Sequence, residues 1–357
     1  MRVASWVVQE AGRPMVLETR EEAPGPGEVL VRVAGCGVCH TDLGFFYDGV
    51  PTRHGFPLTL GHEVSGTVAE TGPGAEDWRG RSVIVPAVIP CGRCPACGVG
   101  RRPICPRQVF PGSDVHGGFG THLRVPADGL CPVDDLRDAS RNRAGIALWA
   151  LAVVADAVST PYQAILRSGL APGDLAVFVG AGGVGGFGCQ IAAAFGAQVI
   201  ALDVAQDRLD LMKAHGVALG LRPDTMDARA LRRAVGDFAK EREIPTWRHR
   251  IFETSGTTAG QATAFSLIGP GGYLSIVGYA KSAVELRLSN LMAFDATAQG
   301  NWGCLPEHYP AVVDLVLSGK VALEPFVERR PLATINRTFE DLHARTTSRR
   351  VVLVPEG

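Results

Sequence analysis

The segment Leu175-Ala176-Val177-Phe178-Val179 runs without a polar residue into Gly180-Ala181-Gly182-Gly183-Val184-Gly185, and Gly186 to Phe195 then has the composition of a helix. A buried strand, a G-x-G-x-x-G turn and a helix in immediate succession open a βαβ unit, which commits this part of the chain to a parallel sheet. Gly180 permits the tight turn, Gly182 lets the backbone approach a pyrophosphate, and Gly185 lets helix pack closely on strand. Gly183 and Val184 lie at the helix N-terminus, where the phosphates are expected. The next strand, Gln198 to Asp203, ends in an acid close to the expected ~20 residues downstream, placed to accept hydrogen bonds from a ribose. Asp203 would repel a 2′-phosphate, and Val204 and Ala205 bring no compensating cation, so NAD is expected rather than NADP. Arg208 can touch the cofactor or stand solvated on a helix start, and Val277 and Gly278 close a later strand of the same sheet.

A second constraint comes from Cys91, Cys94, Cys97 and Cys105, a C-x2-C-x2-C-x7-C run. Four thiolates at this spacing can close around one tetrahedral zinc ion, and all-thiolate sites are structural rather than catalytic. The alternative is two local disulfides. Nine cysteines in 357 residues are too few for a disulfide scaffold, and Met1 to Glu10 lacks the apolar core and cleavage site of an export signal. A cytoplasmic protein is expected. The net charge of −1 gives no argument for nucleic acid or an anionic membrane surface. The longest apolar stretch, Ala144 to Val158, is shorter than the roughly 20 residues that span a bilayer and contains Asp156. It reads as a buried element, and the carboxylate within it needs an explanation.

Up to about residue 135, short β-branched runs (Val29 to Val33, Val64 to Val68, Ser82 to Val85) alternate with Gly and Pro clusters, the pattern of an irregular antiparallel β region. Near Pro161 the pattern changes to apolar strands and Ala/Leu-rich helices. The expected fold class is α/β: a β-rich domain over 1–158, a doubly wound parallel-sheet domain over 159–296, and a return to the first domain over 297–357.

Cys39-His40-Thr41-Asp42 and Gly61-His62-Glu63 each set zinc ligands beside a hydroxyl or a carboxylate. Joined to a nicotinamide fold, they suggest a catalytic zinc, which needs protein ligands and one open position for a substrate oxygen. Asp156 is the natural third ligand.

Gly37 to Asp42, Gly61 to Glu63, the four-cysteine lobe and Gly180 to Gly185, in that order, resemble the zinc-dependent medium-chain alcohol dehydrogenases over essentially the whole chain. The resemblance implies a GroES-like catalytic domain with an inserted Rossmann domain, NAD as cofactor, two zinc ions per chain, and a homo-oligomer, dimer or tetramer. It assigns Cys39, His62 and Asp156 to the catalytic zinc, with Glu63 orienting the site or coordinating the metal transiently. Thr41 becomes the hydroxyl that relays the substrate proton, and His40 lies near the cofactor pyrophosphate. Where many members carry a histidine three residues after the relay hydroxyl, this chain has Gly44, so His54 is weighed as a substitute outlet against direct release from the ribose to water.

Gly44 to Val50 and Ala293 to Gly303 are further similar to members that oxidise a cyclic allylic alcohol carried as a CoA thioester. Such a substrate needs cations for its phosphates, for which Arg53, His54, Arg101, Arg102 and Arg107 are candidates, and Phe45, Phe46 and Trp302 can line an apolar ring pocket. The competing readings are a dehydrogenase of a simple primary, aromatic or polyol alcohol, conjugate hydride addition to a cyclic enoyl-CoA, and a non-enzymatic NAD-binding sensor.

Overall fold

The computed structural model describes residues 1–356 and divides into two compact units, 1–159 with 303–319 and 323–357, and 160–302 with 320–322. In the first unit a seven-stranded sheet runs in the order Val327–Pro331, Arg350–Val354, Glu28–Gly37, Glu63–Thr71, Ser82–Val85, Cys131–Pro132, with His122–Pro126 paired to Glu28–Gly37 off that path. All its pairs are antiparallel except Val327–Pro331 with Arg350–Val354. Val31, Val64, Phe119, Leu123, Phe339 and Leu353 belong to its buried core.

The register of this sheet assembles the site. Glu28–Gly37 pairs with Glu63–Thr71 so that Gly37 lies opposite Glu63, which brings Cys39, two residues beyond Gly37, towards His62, one residue before Glu63. Gly37 has to be glycine because a Cβ there would stand 2.1 Å from Glu63 Oε2. Cys39 then precedes the helix His40–Tyr47, and the Asp42 carboxylate accepts the Cys39 N–H at 2.9 Å, fixing the helix start.

The second unit holds a six-stranded parallel sheet in the order Leu219–Leu221, Gln198–Leu202, Leu175–Val179, His249–Glu253, Tyr273–Ile276, Thr297–Gly300. In chain order this is 3-2-1-4-5-6, the doubly wound arrangement whose direction of growth reverses between Leu175–Val179 and His249–Glu253. Leu175–Val179 is buried at every position, as expected for a strand covered on both faces. Thr297–Gly300, placed by sequence in the return to the first domain, instead supplies the sixth strand, and the second unit extends to Trp302. Its sequence, Thr-Ala-Gln-Gly, has no apolar alternation because it is a mostly exposed edge strand. Among the described residues no helix is long and apolar enough to cross a membrane.

Candidate active site and metal centres

Two groups of side chains converge as metal sites, Cys91, Cys94, Cys97 and Cys105, and Cys39, His62, Glu63 and Asp156, each with ligand atoms within 4.8 Å of one another. In the first, Cys94 Sγ lies 3.5 Å from Cys97 Sγ and 3.7 Å from Cys105 Sγ. Four sulfurs about 2.3 Å from one zinc ion would stand about 3.8 Å apart, whereas a disulfide needs about 2.05 Å. All four cysteines are free, so the spacing fits a metal and not a bridge. The backbone N–H of Arg93 draws the Cys91 thiol down to about 6, favouring the thiolate that a metal takes.

The second group lies where the paired strands end. Asp156 follows the buried 3-10 segment Leu148–Ala155, which explains a carboxylate inside an apolar run: the segment delivers it to the site. Asp156 Oδ2 is 3.5 Å from His62 Nε2 and 3.7 Å from Cys39 Sγ. Tetrahedral zinc with ordinary bond lengths would set these pairs about 3.4 and 3.6 Å apart, so the three donors fit one ion and leave a fourth position for a substrate oxygen. Burial opposes a charge on His62, but Asp42, Asp156 and Cys39 outweigh it and raise its pKa, as expected of a pocket built around a cation. Asp42 Oδ1 lies 3.4 Å from His62 Nδ1, at ion-pair distance but without a hydrogen bond, and accepts the Gly61 N–H at 3.0 Å. Thr41 Oγ1 is 3.7 Å from Cys39 Sγ, beside the same donor set, and His40 is exposed at the helix start.

Glu63 stands in the same donor group, and both of its carboxylate oxygens are engaged by neighbours. Arg350 Nε donates to its Oε2 at 2.7 Å, Arg350 Nη2 donates to Oε1, and Oε1 also accepts the Ala157 N–H at 3.0 Å. Burial raises the Glu63 pKa, and Arg350 opposes that rise. Arg350 is 287 residues away in sequence, and no local pattern announces it.

Phe110 presents its edge to His62, with centroids 5.0 Å apart, and lies 6.4 Å from Phe45. Phe46 instead packs in the core against Phe339 and Tyr47. His54 lies beside His116 at 5.4 Å, with Nδ1 3.0 Å from the Gly55 carbonyl. Of the cations weighed for a CoA phosphate, Arg53 pairs with Asp114 and Arg102 with Glu307, while Arg101 and Arg107 are exposed.

In the second unit the glycine loop has the shape a dinucleotide needs. Gly180 has φ +99°, and a Cβ there would lie 2.7 Å from the Ser255 backbone; a Cβ at Gly185 would lie 1.8 Å from the Gly180 carbonyl oxygen. A Cβ on Gly182 would meet only Arg208 Nη1, at 3.9 Å, which leaves open space over the start of the helix Gly183–Ala194. Asp203 accepts the Ala181 N–H at 2.8 Å and the Ala205 N–H at 2.9 Å, and Arg208 lies 3.6 Å from it. The Val277 and Gly278 N–H groups both donate to the Glu253 carbonyl, at 2.9 and 3.0 Å, which sets them on the same edge of the sheet.

Residues 25–135 match the alcohol dehydrogenase GroES-like domain and residues 183–318 the zinc-binding dehydrogenase domain. An alcohol dehydrogenase of Geobacillus stearothermophilus is 29% identical over 351 residues, covering 97% of this chain and 98% of that protein. The L-galactonate-5-dehydrogenase of Escherichia coli (strain K12) is 27% identical over 345 residues, 95% of each. The solved alcohol dehydrogenase of the hyperthermophilic archaeon Aeropyrum pernix superposes with a TM-score of 0.85 at 29% identity, over 99% of this chain and all of that one. With its two domain types in order and donor sets that can hold zinc, the chain belongs to the zinc-dependent medium-chain alcohol dehydrogenases and is an NAD(P)-dependent enzyme.

Proposed function

We propose that this enzyme oxidises a cyclic allylic secondary alcohol carried as a CoA thioester, 6-hydroxycyclohex-1-ene-1-carbonyl-CoA, to the conjugated ketone with NAD, a step of anaerobic benzoyl-CoA degradation. The observation that carries the reaction type is the convergence of Cys39, His62 and Asp156 beside the Thr41 hydroxyl. When bound, zinc would polarise the alcohol oxygen and NAD⁺ would take the hydride, giving ketone, NADH and one proton. Thr41 holds the substrate hydroxyl and passes on its proton. Arg350 pairs with Glu63 and orients its carboxylate beside the donor set, and Asp42 places a negative charge 3.4 Å behind the His62 ring.

In this reading Cys91, Cys94, Cys97 and Cys105 hold the structural zinc, His40 lies by the pyrophosphate, and the glycine loop, Val277 and Gly278 hold NAD. Asp203 favours NAD over NADP. A homo-oligomer is proposed as well: Thr297–Gly300 is an edge strand, and Tyr279, Leu288, Met292 and Trp302 of the same unit are exposed. Sedimentation of a monomer would refute it.

The second reading, oxidation of a simple or polyol alcohol, is favoured by relatives named for such substrates. NAD reduction by the zinc-replete protein on 6-hydroxycyclohex-1-ene-1-carbonyl-CoA, beside cyclohexanol, benzyl alcohol and ethanol, separates the two. Turnover confined to the thioester supports the first reading, and turnover of the free alcohols alone establishes the second.

A further inference from the structure

Asp156 sits in the turn between the 3-10 segment Leu148–Ala155 and the helix Ser159–Arg167, so its position depends on what holds the backbone on both sides of it. On the C-terminal side the Ala157 N–H is fixed by Glu63. On the N-terminal side the Ala155 carbonyl accepts three donors: the Tyr309 hydroxyl at 2.5 Å, the Ser159 hydroxyl at 3.2 Å and the Ala87 N–H at 3.3 Å. Tyr309 opens the helix Tyr309–Leu317, is completely buried, and its hydroxyl lies 3.3 Å from that of Ser159. A phenol whose ring is locked in a core has its oxygen fixed and its O–H confined near the ring plane, whereas the Ser159 hydroxyl can turn among the Ala155 carbonyl, the Asp156 carbonyl and Tyr309.

We propose that Tyr309 is a positioning residue for the metal ligand Asp156, acting through the Ala155 carbonyl. The proposal rests on Asp156 belonging to the catalytic zinc site. A carboxylate ligand set within a few tenths of an ångström of the geometry an ion needs loses affinity when its supporting hydrogen bonds relax, and loss of an outer partner of this kind typically costs 10–100-fold in metal affinity. Tyr309 lies 153 positions beyond Asp156 in the chain, so the two are joined by the fold and by no local motif.

The test compares the zinc-loaded protein with Tyr309→Phe, which keeps the ring and removes the donor. Zinc content is followed during exposure to dipicolinate, the unfolding midpoint is measured, and the visible bands of the cobalt-substituted site are recorded. The expected result is release of one zinc about tenfold faster, a shift in the cobalt bands, and retention of the four-cysteine zinc. Unchanged release and an unchanged cobalt spectrum overturn the proposal, as does loss of both ions together with a lowered midpoint, which marks a purely structural tyrosine. If Tyr309→Phe does not fold, Ser159→Ala decides: selective loosening of the same zinc supports the clamp, and none overturns it. Wild-type protein holding only the four-cysteine zinc would instead overturn the reading of the site itself.

Discussion

Replacing Arg350 by Met leaves Glu63 buried without its counter-ion. The Glu63 side chain is wholly buried and that of Arg350 is 6% exposed, so water cannot take over the lost interaction. Removing one partner of such a pair costs about 3–5 kcal/mol, mostly from the stranded charge. For a unit of about 200 residues, at 2–4 °C per kcal/mol, the midpoint of its thermal transition should fall by roughly 6–20 °C. The pH dependence carries a sign. Glu63 already has its folded pKa raised above 4.5, burial being the larger cause, and without Arg350 the rise is greater. An acid with a raised folded pKa binds its proton more tightly when folded, so the variant regains stability as pH falls through that value. The gap to wild type is therefore widest at alkaline pH and narrows towards acid. The double variant Glu63→Gln/Arg350→Met, which strands no charge, should recover most of the loss. Calorimetry on the zinc-loaded proteins at several pH values checks all of this, and a midpoint within about 2 °C of wild type, or a gap independent of pH, would refute the reasoning.

Cys97→Ser should lower zinc from two ions per chain to one and reduce stability more than the turnover of the surviving folded enzyme; intact stability with lost turnover would contradict a structural lobe. Asp203→Ala should weaken NAD by about tenfold and erode the preference over NADP, because the variant lacks both the ribose acceptor and the charge that repels a 2′-phosphate; KM ratios measure it. Gly185→Ala puts a methyl 1.8 Å from the Gly180 carbonyl oxygen, a backbone atom that cannot step aside cheaply, so NAD binding by fluorescence titration should be lost while both zinc ions remain.

The parts legible in the sequence are those where chemistry dictates neighbours along the chain. A zinc lobe needs four thiolates on a short loop, a pyrophosphate needs glycines at a strand-to-helix turn, and both wrote their spacing into adjacent residues. Asp156 was legible for a different reason, as a charge where charges are expensive. Arg350, Ser159 and Tyr309 left no such mark. Arg350 and Tyr309 reach the site from distant parts of the chain, Ser159 acts through a hydroxyl turned back on the preceding turn, and an arginine on a strand or a serine or tyrosine on a helix has many ordinary uses. Asp42 was in view within its motif, yet its role depends on Gly61 and His62 arriving beside it through the Gly37 to Glu63 register. Thr297–Gly300 was missed because an exposed edge strand has no buried face to impose alternation.

The same reasoning explains why the reaction type reads more sharply than the substrate. Metal, hydride acceptor and proton relay constrain a few atoms to within tenths of an ångström, and few residue types satisfy them. A ring pocket asks only for apolar volume, which many different side chains supply equally well. At Gly44 the chain departs from the commoner family pattern, and a Cβ there would meet only Val50 Cγ2, at an ordinary contact distance of 3.5 Å. His54 is engaged with His116 and the Gly55 carbonyl, which favours the other outlet weighed from sequence, release from the cofactor ribose to water. Turnover and its pH profile should then be unchanged by His54→Ala, and a pH inflection lost in that variant would return His54 to the proton path.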